Sequence, residues 1–324
     1  MSDILVLSRS DIDQLMVDHR RVKAAVTDAC RGLAVDSSQN PRKVKLTADE
    51  SVSYAMVGRC SSSVGPPSVG FKMSYTHDPR PGHGTKRYYT TLTVFDDETG
   101  RPTALLDGSR IGALRTAAVT ALLAEVSAPP APATLLLIGS GRQAQETVTS
   151  VLTALPTLKT VLLAGNHPAG LIETRQRLAQ HDVRVEDVDD VNDAAPQAEI
   201  VIGAAGPGTP HRVRAQKVAP GTATILVGYG LDASCLWAAD RVIATDAHQM
   251  AVTGTDLLDG HGSLRKVDAE LPAVLVGRAP ARVDDRQRVF AYNSGLVVTD
   301  VAVGRALIAQ AREHGIGTEV ALWS

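Results

Sequence analysis

The chain has 324 residues, enough for two domains with cores of their own, and a formal net charge of −2 with aromatics at only 3%. That balance offers no basic surface for nucleic acid or an anionic membrane, and few rings on which bases would stack. No apolar run approaches the ~18 residues of a membrane span. The start MSDILVLSRSDIDQL lacks a basic segment followed by an apolar one, and Cys30, Cys60 and Cys235 lie far apart, so the expectation is a cytoplasmic protein with reduced thiols and no metal site.

In chain order, residues 1–60 read as a helix with short strands. Ser10, with Asp13 three residues on, is a predicted helix N-cap. From Ser68 to Leu106 the alternating β-formers of VGFKMSYTH and RYYTTLTVFD predict strands, and DDETGRP supplies a hairpin turn before TALLDG. SRIGALRTAAVTALLAEVSA, from Ser109, predicts an Ala- and Leu-rich helix that the prolines of 129–133 close.

After the prolines the pattern becomes strand, helix, strand. Apolar strands are predicted at 134–139, 160–165, 198–206, 223–230 and 241–246, with helices over 142–155 and through LIETRQRLAQ. Such alternation implies a parallel sheet covered by helices on both faces. From Val289 a strand, a turn and a long helix follow, and this helix is expected to return to the first domain. The predicted division is 125–289 as a dinucleotide-binding domain, and 1–124 together with 290–324 as a second, β-rich α+β domain.

The stretch TLLLIGSGRQAQETV carries the most specific signal. Gly139 permits a sharp turn after the first strand, Gly141 lets the backbone approach a pyrophosphate, and Ala144 is small enough for helix–strand packing. The phosphates would sit at the helix N-terminus, beside Arg142 and Gln143. Where an acid usually holds the adenosine ribose, the second strand ends in Asn166 and His167. An uncharged Asn does not repel a 2′-phosphate, so the expected cofactor is NAD or NADP, with the choice open.

The stretches NPRKVKL, VGFKMSYTH, TTLTVFDDETGRPTALLDG, IGALRTAAVTALLA, LIGSGRQAQ, APGTATILVG and HGIGTEVAL together resemble the ornithine cyclodeaminase/mu-crystallin family, from one end of the chain to the other. The resemblance implies a Rossmann domain and a β-rich domain that binds substrate and forms a homodimer. It places Arg42, Lys72 and Arg115 where the family has the cations that hold a substrate α-carboxylate, a task suited to a guanidinium fork. Lys72 also falls where a lysine transfers a proton, and burial near other cations would draw its pKa toward neutrality. Thr91, Thr116, Gly228 and Gly295 match positions on the cofactor side. His77 and His83 flank a Pro/Gly-rich loop and are candidates to border the substrate.

Two departures bear on the chemistry. The family's catalytic aspartate after the Val-Gly strand end falls on Gly230; Asp232 then corresponds to a helix-start aspartate, unless a shifted alignment brings it into the site. The glutamate that holds the second amine of ornithine falls on Tyr54. Asn293 also replaces the serine of a Ser-x-Gly turn. A carboxylate clamp and a hydride carrier remain. The expected function is therefore an NAD(P)-dependent oxidoreductase acting on the C–N bond of a small amino or imino acid. The alternatives are a cyclodeaminase of the ornithine or lysine type and a non-catalytic NAD(P)-binding protein.

Overall fold

The computed structural model describes residues 3–61, 66–80 and 83–322. Its contacts divide the chain into two compact units, Met1–Arg115 with Leu296–Ser324, and Thr116–Gly295. The change of unit falls inside a helix, before the prolines at 129–132, because proline ends a helix and says nothing of which side of it a neighbour packs on.

The first unit opens with strand β1 (Asp3–Leu7), helix α1 (Arg9–Gln14) and helix α2 (His19–Ala34). The N-cap of α1 is Ser8, not Ser10. Ser8 Oγ accepts from the Asp11 backbone N–H at 3.2 Å, and Asp11 accepts from the Ser8 N–H at 2.8 Å. The same Ser-x-x-Asp spacing therefore acts two residues earlier, directly where β1 ends. Strands β2 (Val44–Ala48), β3 (Ser51–Cys60), β4 (Ser68–His77), β5 (Arg87–Asp96) and β6 (Pro102–Asp107) follow as an antiparallel meander. Helix α3 (Gly108–Ser127) carries the chain into the second unit.

The second unit is a parallel sheet. Its strands are β7 (Thr134–Ile138), β8 (Thr160–Ala164), β9 (Arg184–Asp187), β10 (Ile200–Gly203), β11 (Ala223–Leu226), β12 (Arg241–Ala244), β13 (Ala269–Glu270) and β14 (Val289–Tyr292). The connections include α4 (Arg142–Ala154), α5 (Pro168–Leu178), α6 (Val191–Ala194), α7 (Ser234–Trp237), α8 (Ala247–Thr253) and α9 (Leu271–Leu275). The order is β13-β12-β14-β11-β10-β7-β8-β9, every pair parallel. From β9 through β8, β7, β10 and β11 this is the Rossmann-type arrangement, whose strand order reverses between β7 and β10. The central strands are buried on both faces, which is why they read as unbroken apolar runs.

The chain ends in α10 (Val297–His314) and β15 (Thr318–Ala321). α10 packs on α2 and across β3, β4 and β5, and β15 adds to the edge of β1. The resulting sheet runs β15-β1-β6-β5-β4-β3-β2. On β4 the even-numbered residues Ser68, Gly70, Lys72 and Ser74 face inward, and Phe71, Met73 and Tyr75 are exposed on the other side. No helix among the described residues is long and apolar enough to cross a membrane.

Candidate functional site

In the second unit a cleft of about 460 Å³ opens at the carboxyl ends of the strands, where the strand order reverses and open α/β sheets bind ligands. Gly139, Ser140, Gly141 and Gln143 line it, with Asn166 and His167 opposite. Gly139 stands at φ +124°, and a Cβ there would come within 2.7 Å of the Ala204 carbonyl. The turn thus needs glycine both for its backbone angle and for its packing. Gly141 is the N-cap of α4 and offers no side chain to the free N–H groups of the helix; open space lies where its Cβ would be. Backbone donors and a helix N-terminus facing open space suit a pyrophosphate. The residues present therefore fit a dinucleotide.

Arg142 is exposed at the start of α4, and Gln143 Nε2 donates to Thr147 Oγ1 at 3.2 Å. Asn166 is exposed at the far wall. His167 is the N-cap of α5, its Nδ1 accepting from the Gly170 N–H at 3.3 Å. No carboxylate is among the residues lining the cleft.

In the first unit three charged groups meet, two of them buried and the third, Arg115, partly so. Lys72 on β4 donates to Asp300 Oδ1 at 2.6 Å, and Arg115 on α3 donates through Nε to the same oxygen at 3.3 Å. Lys72 is 5% exposed and Asp300 1%. Two cations and one anion leave a net charge of +1, which suits a further carboxylate. Burial pulls Lys72 below the ordinary lysine range; Asp300 works against that shift and Arg115 with it. Burial of a lysine in a charged cluster of this kind is costly and is a mark of a working site.

The remaining candidates fall in several places. Arg42 is exposed in the segment before β2 and makes no hydrogen bond or ion pair among the described residues. Thr91 pairs with Met73 and points to the exposed face of the sheet. Its neighbour Thr90 is buried on the side of Lys72, and the Thr90 hydroxyl lacks a hydrogen-bond partner. The alternation of a strand puts consecutive threonines on opposite faces, and a run of two gives no sign of which points in. The Thr116 carbonyl accepts from Asn293 Nδ2 at 3.1 Å, and Thr120 Oγ1 accepts from the same nitrogen at 3.0 Å; the buried Asn293 Oδ1 is left without a partner. Gly228 packs against the Ala205 carbonyl, and Gly295 takes φ +73°. His77 ends β4 half-buried, and His83 is exposed.

Asp232 closes a local turn. Its Oδ1 accepts from the Ser234 N–H at 2.9 Å at the entry to α7. Hydrogen bonding from Ser234, opposed by partial burial and aided by Arg212 and Arg214, holds its carboxyl below the ordinary aspartate range. Gly230 takes φ +128° against Ile138 and Gly203. Asp300 is the residue of the charged cluster to which the sequence assigned no role, although the resemblance has it kept, with Gly295, in the stretch AYNSGLVVTD.

A Rossmann-type unit with an open glycine turn and a β-rich unit holding a buried Lys–Asp–Arg cluster define a nucleotide-binding type of two-unit protein. The model of the ornithine cyclodeaminase/mu-crystallin family matches residues 4–315, and the chain belongs to that family. It is 23% identical to the N-((2S)-2-amino-2-carboxyethyl)-L-glutamate dehydrogenase of Staphylococcus aureus, over 99% of both chains. The structure of Thermococcus litoralis Δ(1)-pyrroline-2-carboxylate reductase with NADH and L-proline superposes with a TM-score of 0.83 at 20% identity, covering 98% of this chain and all of that one. An archaeal alanine dehydrogenase dimer with bound NAD gives 0.84 at 19% identity, covering 99% and 100%.

Proposed function

We propose that this chain is an NAD(P)-dependent oxidoreductase of the C–N bond of a small amino or imino acid, working as an imine reductase or amino acid dehydrogenase. The observation that carries this reading is the buried Lys72–Asp300–Arg115 cluster in a member of this family. Arg115 pairs with the α-carboxylate of the substrate, and Arg42 adds a second cation from its exposed segment. Lys72 gives a proton to the imine nitrogen, or takes it back from the amine in the reverse direction. When bound at the Gly139–Gln143 turn, the dinucleotide supplies the hydride that the α-carbon takes up. Gly228, Thr116 and Gly295 belong to the cofactor side in this reading, and Thr90 takes the part expected of Thr91.

Asp232 serves its own turn rather than the reaction. With Gly230 and Tyr54 where the family's cyclodeaminases carry acids, neither position offers a charge for the second amine of a diamino acid. The β-rich unit binds substrate and pairs with a second copy to make a homodimer. Its exposed sheet face carries Val44, Leu46, Met73, Tyr75 and Tyr89, an apolar patch of the kind that marks an interface.

The test is a cofactor assay. Oxidation of NADH or NADPH driven by a cyclic imino acid, or by a 2-oxo acid with an amine, is the expected result. Ammonia release from a diamino acid without net change in NADH overturns it in favour of a cyclodeaminase. Cofactor binding with no turnover on either class of substrate overturns it in favour of a binding protein.

A further inference from the structure

We propose that Asp300 is the positioning residue of this site: it holds the Lys72 ammonium through Oδ1 and keeps Lys72 charged, so that Lys72 is loaded with the proton that imine reduction consumes. The proposal rests on the oxidoreductase reading above and adds to it a residue that does not itself touch the substrate.

Three elements bring the cluster together. Lys72 comes from the middle of β4, Arg115 from α3, and Asp300 from the first turn of α10, where the helix dipole favours a carboxylate. The charged groups facing Lys72 are Asp300 and Arg115; its partners on the neighbouring strands are the apolar Met56 on β3 and Leu92 on β5. Gly112 on α3 leaves room beside the ammonium, since a Cβ there would lie 3.4 Å from Lys72 Nζ. Only one of the three donors of the ammonium goes to Asp300.

The charge balance gives the proposal a signature. Arginine keeps its proton in any protein environment. If Asp300 lost its charge, Lys72 would be the group that yields a proton, driven by burial and by Arg115. The cluster would then carry one positive charge from Arg115 alone, the same +1 as the intact triad. Attraction for a substrate carboxylate would persist while the proton donor was lost. Asp300→Asn is therefore expected to lower kcat rather than raise KM. A residue that merely braced the fold would have no reason to separate the two.

The experiment measures kcat and KM for imine reduction from about pH 6 to pH 10 in the wild type, Asp300→Asn and Asp300→Glu. The expected result is an alkaline limb of kcat moved down by about one pH unit or more in Asp300→Asn, which is about tenfold in rate at a fixed pH on that limb. KM should stay within about threefold, and Asp300→Glu should recover part of the shift. A limb that does not move in folded Asp300→Asn, or a rise in KM at constant kcat, overturns the proposal. Should Asp300→Asn fail to fold, or should no imine be turned over, ¹⁵N NMR of the Lys72 Nζ in the unmodified protein decides. The signal is identified by its absence in Lys72→Arg. An ammonium signal near pH 7.5 is expected, and a neutral amine there overturns the proposal. The NMR readout does not depend on turnover, so a failure of the oxidoreductase reading and a failure of the Asp300 role are told apart.

Discussion

A lysine and an aspartate have been taken out of water beside a partly buried arginine, at a desolvation cost that their mutual attraction only partly offsets. An apolar triplet of the same volume would hold β4, α3 and α10 together at least as well, so the cluster points to chemistry rather than to stability. Within it Arg115 is the permanent charge. Arg115→Ala should weaken substrate use by about 100-fold, mainly through KM, because a charge-assisted contact to the carboxylate is lost. Cofactor affinity, measured by fluorescence quenching, should be unchanged; unaltered substrate kinetics would remove Arg115 from the site. Asp232 makes the opposite case. Its carboxylate is committed to Ser234 N–H, and asparagine makes the same bond. Asp232→Asn should keep activity within about threefold of the wild type. A loss of several orders of magnitude would return this residue to the reaction and revive the cyclodeaminase chemistry.

Among the elements, the turn between β7 and α4 is the most constrained by its own residues. Gly139 is pinned by its positive φ and by the backbone of Ala204 and Ala205. Gly139→Ala should destabilise the second unit by about 3 kcal/mol. It should also abolish dinucleotide binding, read by thermal shift with and without NADH; a variant that still gains stability from NADH would show the turn is not the phosphate site. This element was legible because strand, glycine turn and helix are contiguous in the chain. The β4 and β5 strands were legible as strands and less so as faces. The family resemblance, not the alternation, singled out Lys72 and Thr91, and the consecutive Thr90 and Thr91 fit either register of a period-2 pattern. The inward choice follows from α10, which lies on one face only. The short strands β9 and β13 were not legible, since their pairing comes from neighbours in the sheet rather than from any run of their own.

At the scale of the whole molecule, the outer face of the seven-stranded sheet is uncovered among the described residues, and its Tyr75, Tyr89, Met73 and Leu46 stand in solvent. Homodimerisation would cover it. Light scattering should give twice the mass of one chain, and Met73→Asp with Tyr89→Asp should yield a monomer. A monomeric wild type, or an aspartate variant that remains dimeric, would assign this face to something else. The alternating pattern from Thr134 onward, the glycine turn and the lack of a basic surface are local properties of composition and period, and reading them along the chain was enough for the fold class and for a nucleotide site. The charged cluster is of another kind. Asp300 lies 228 residues from Lys72, and the β-rich unit is assembled from both ends of the chain, with β15 beside β1 and α10 across β3–β5. No spacing along the chain encodes a hydrogen bond closed over that distance. It exists because burying the apolar face of α10 against the sheet fixes where the buried Asp300 must stand, and packing of that sort is a property of the folded molecule.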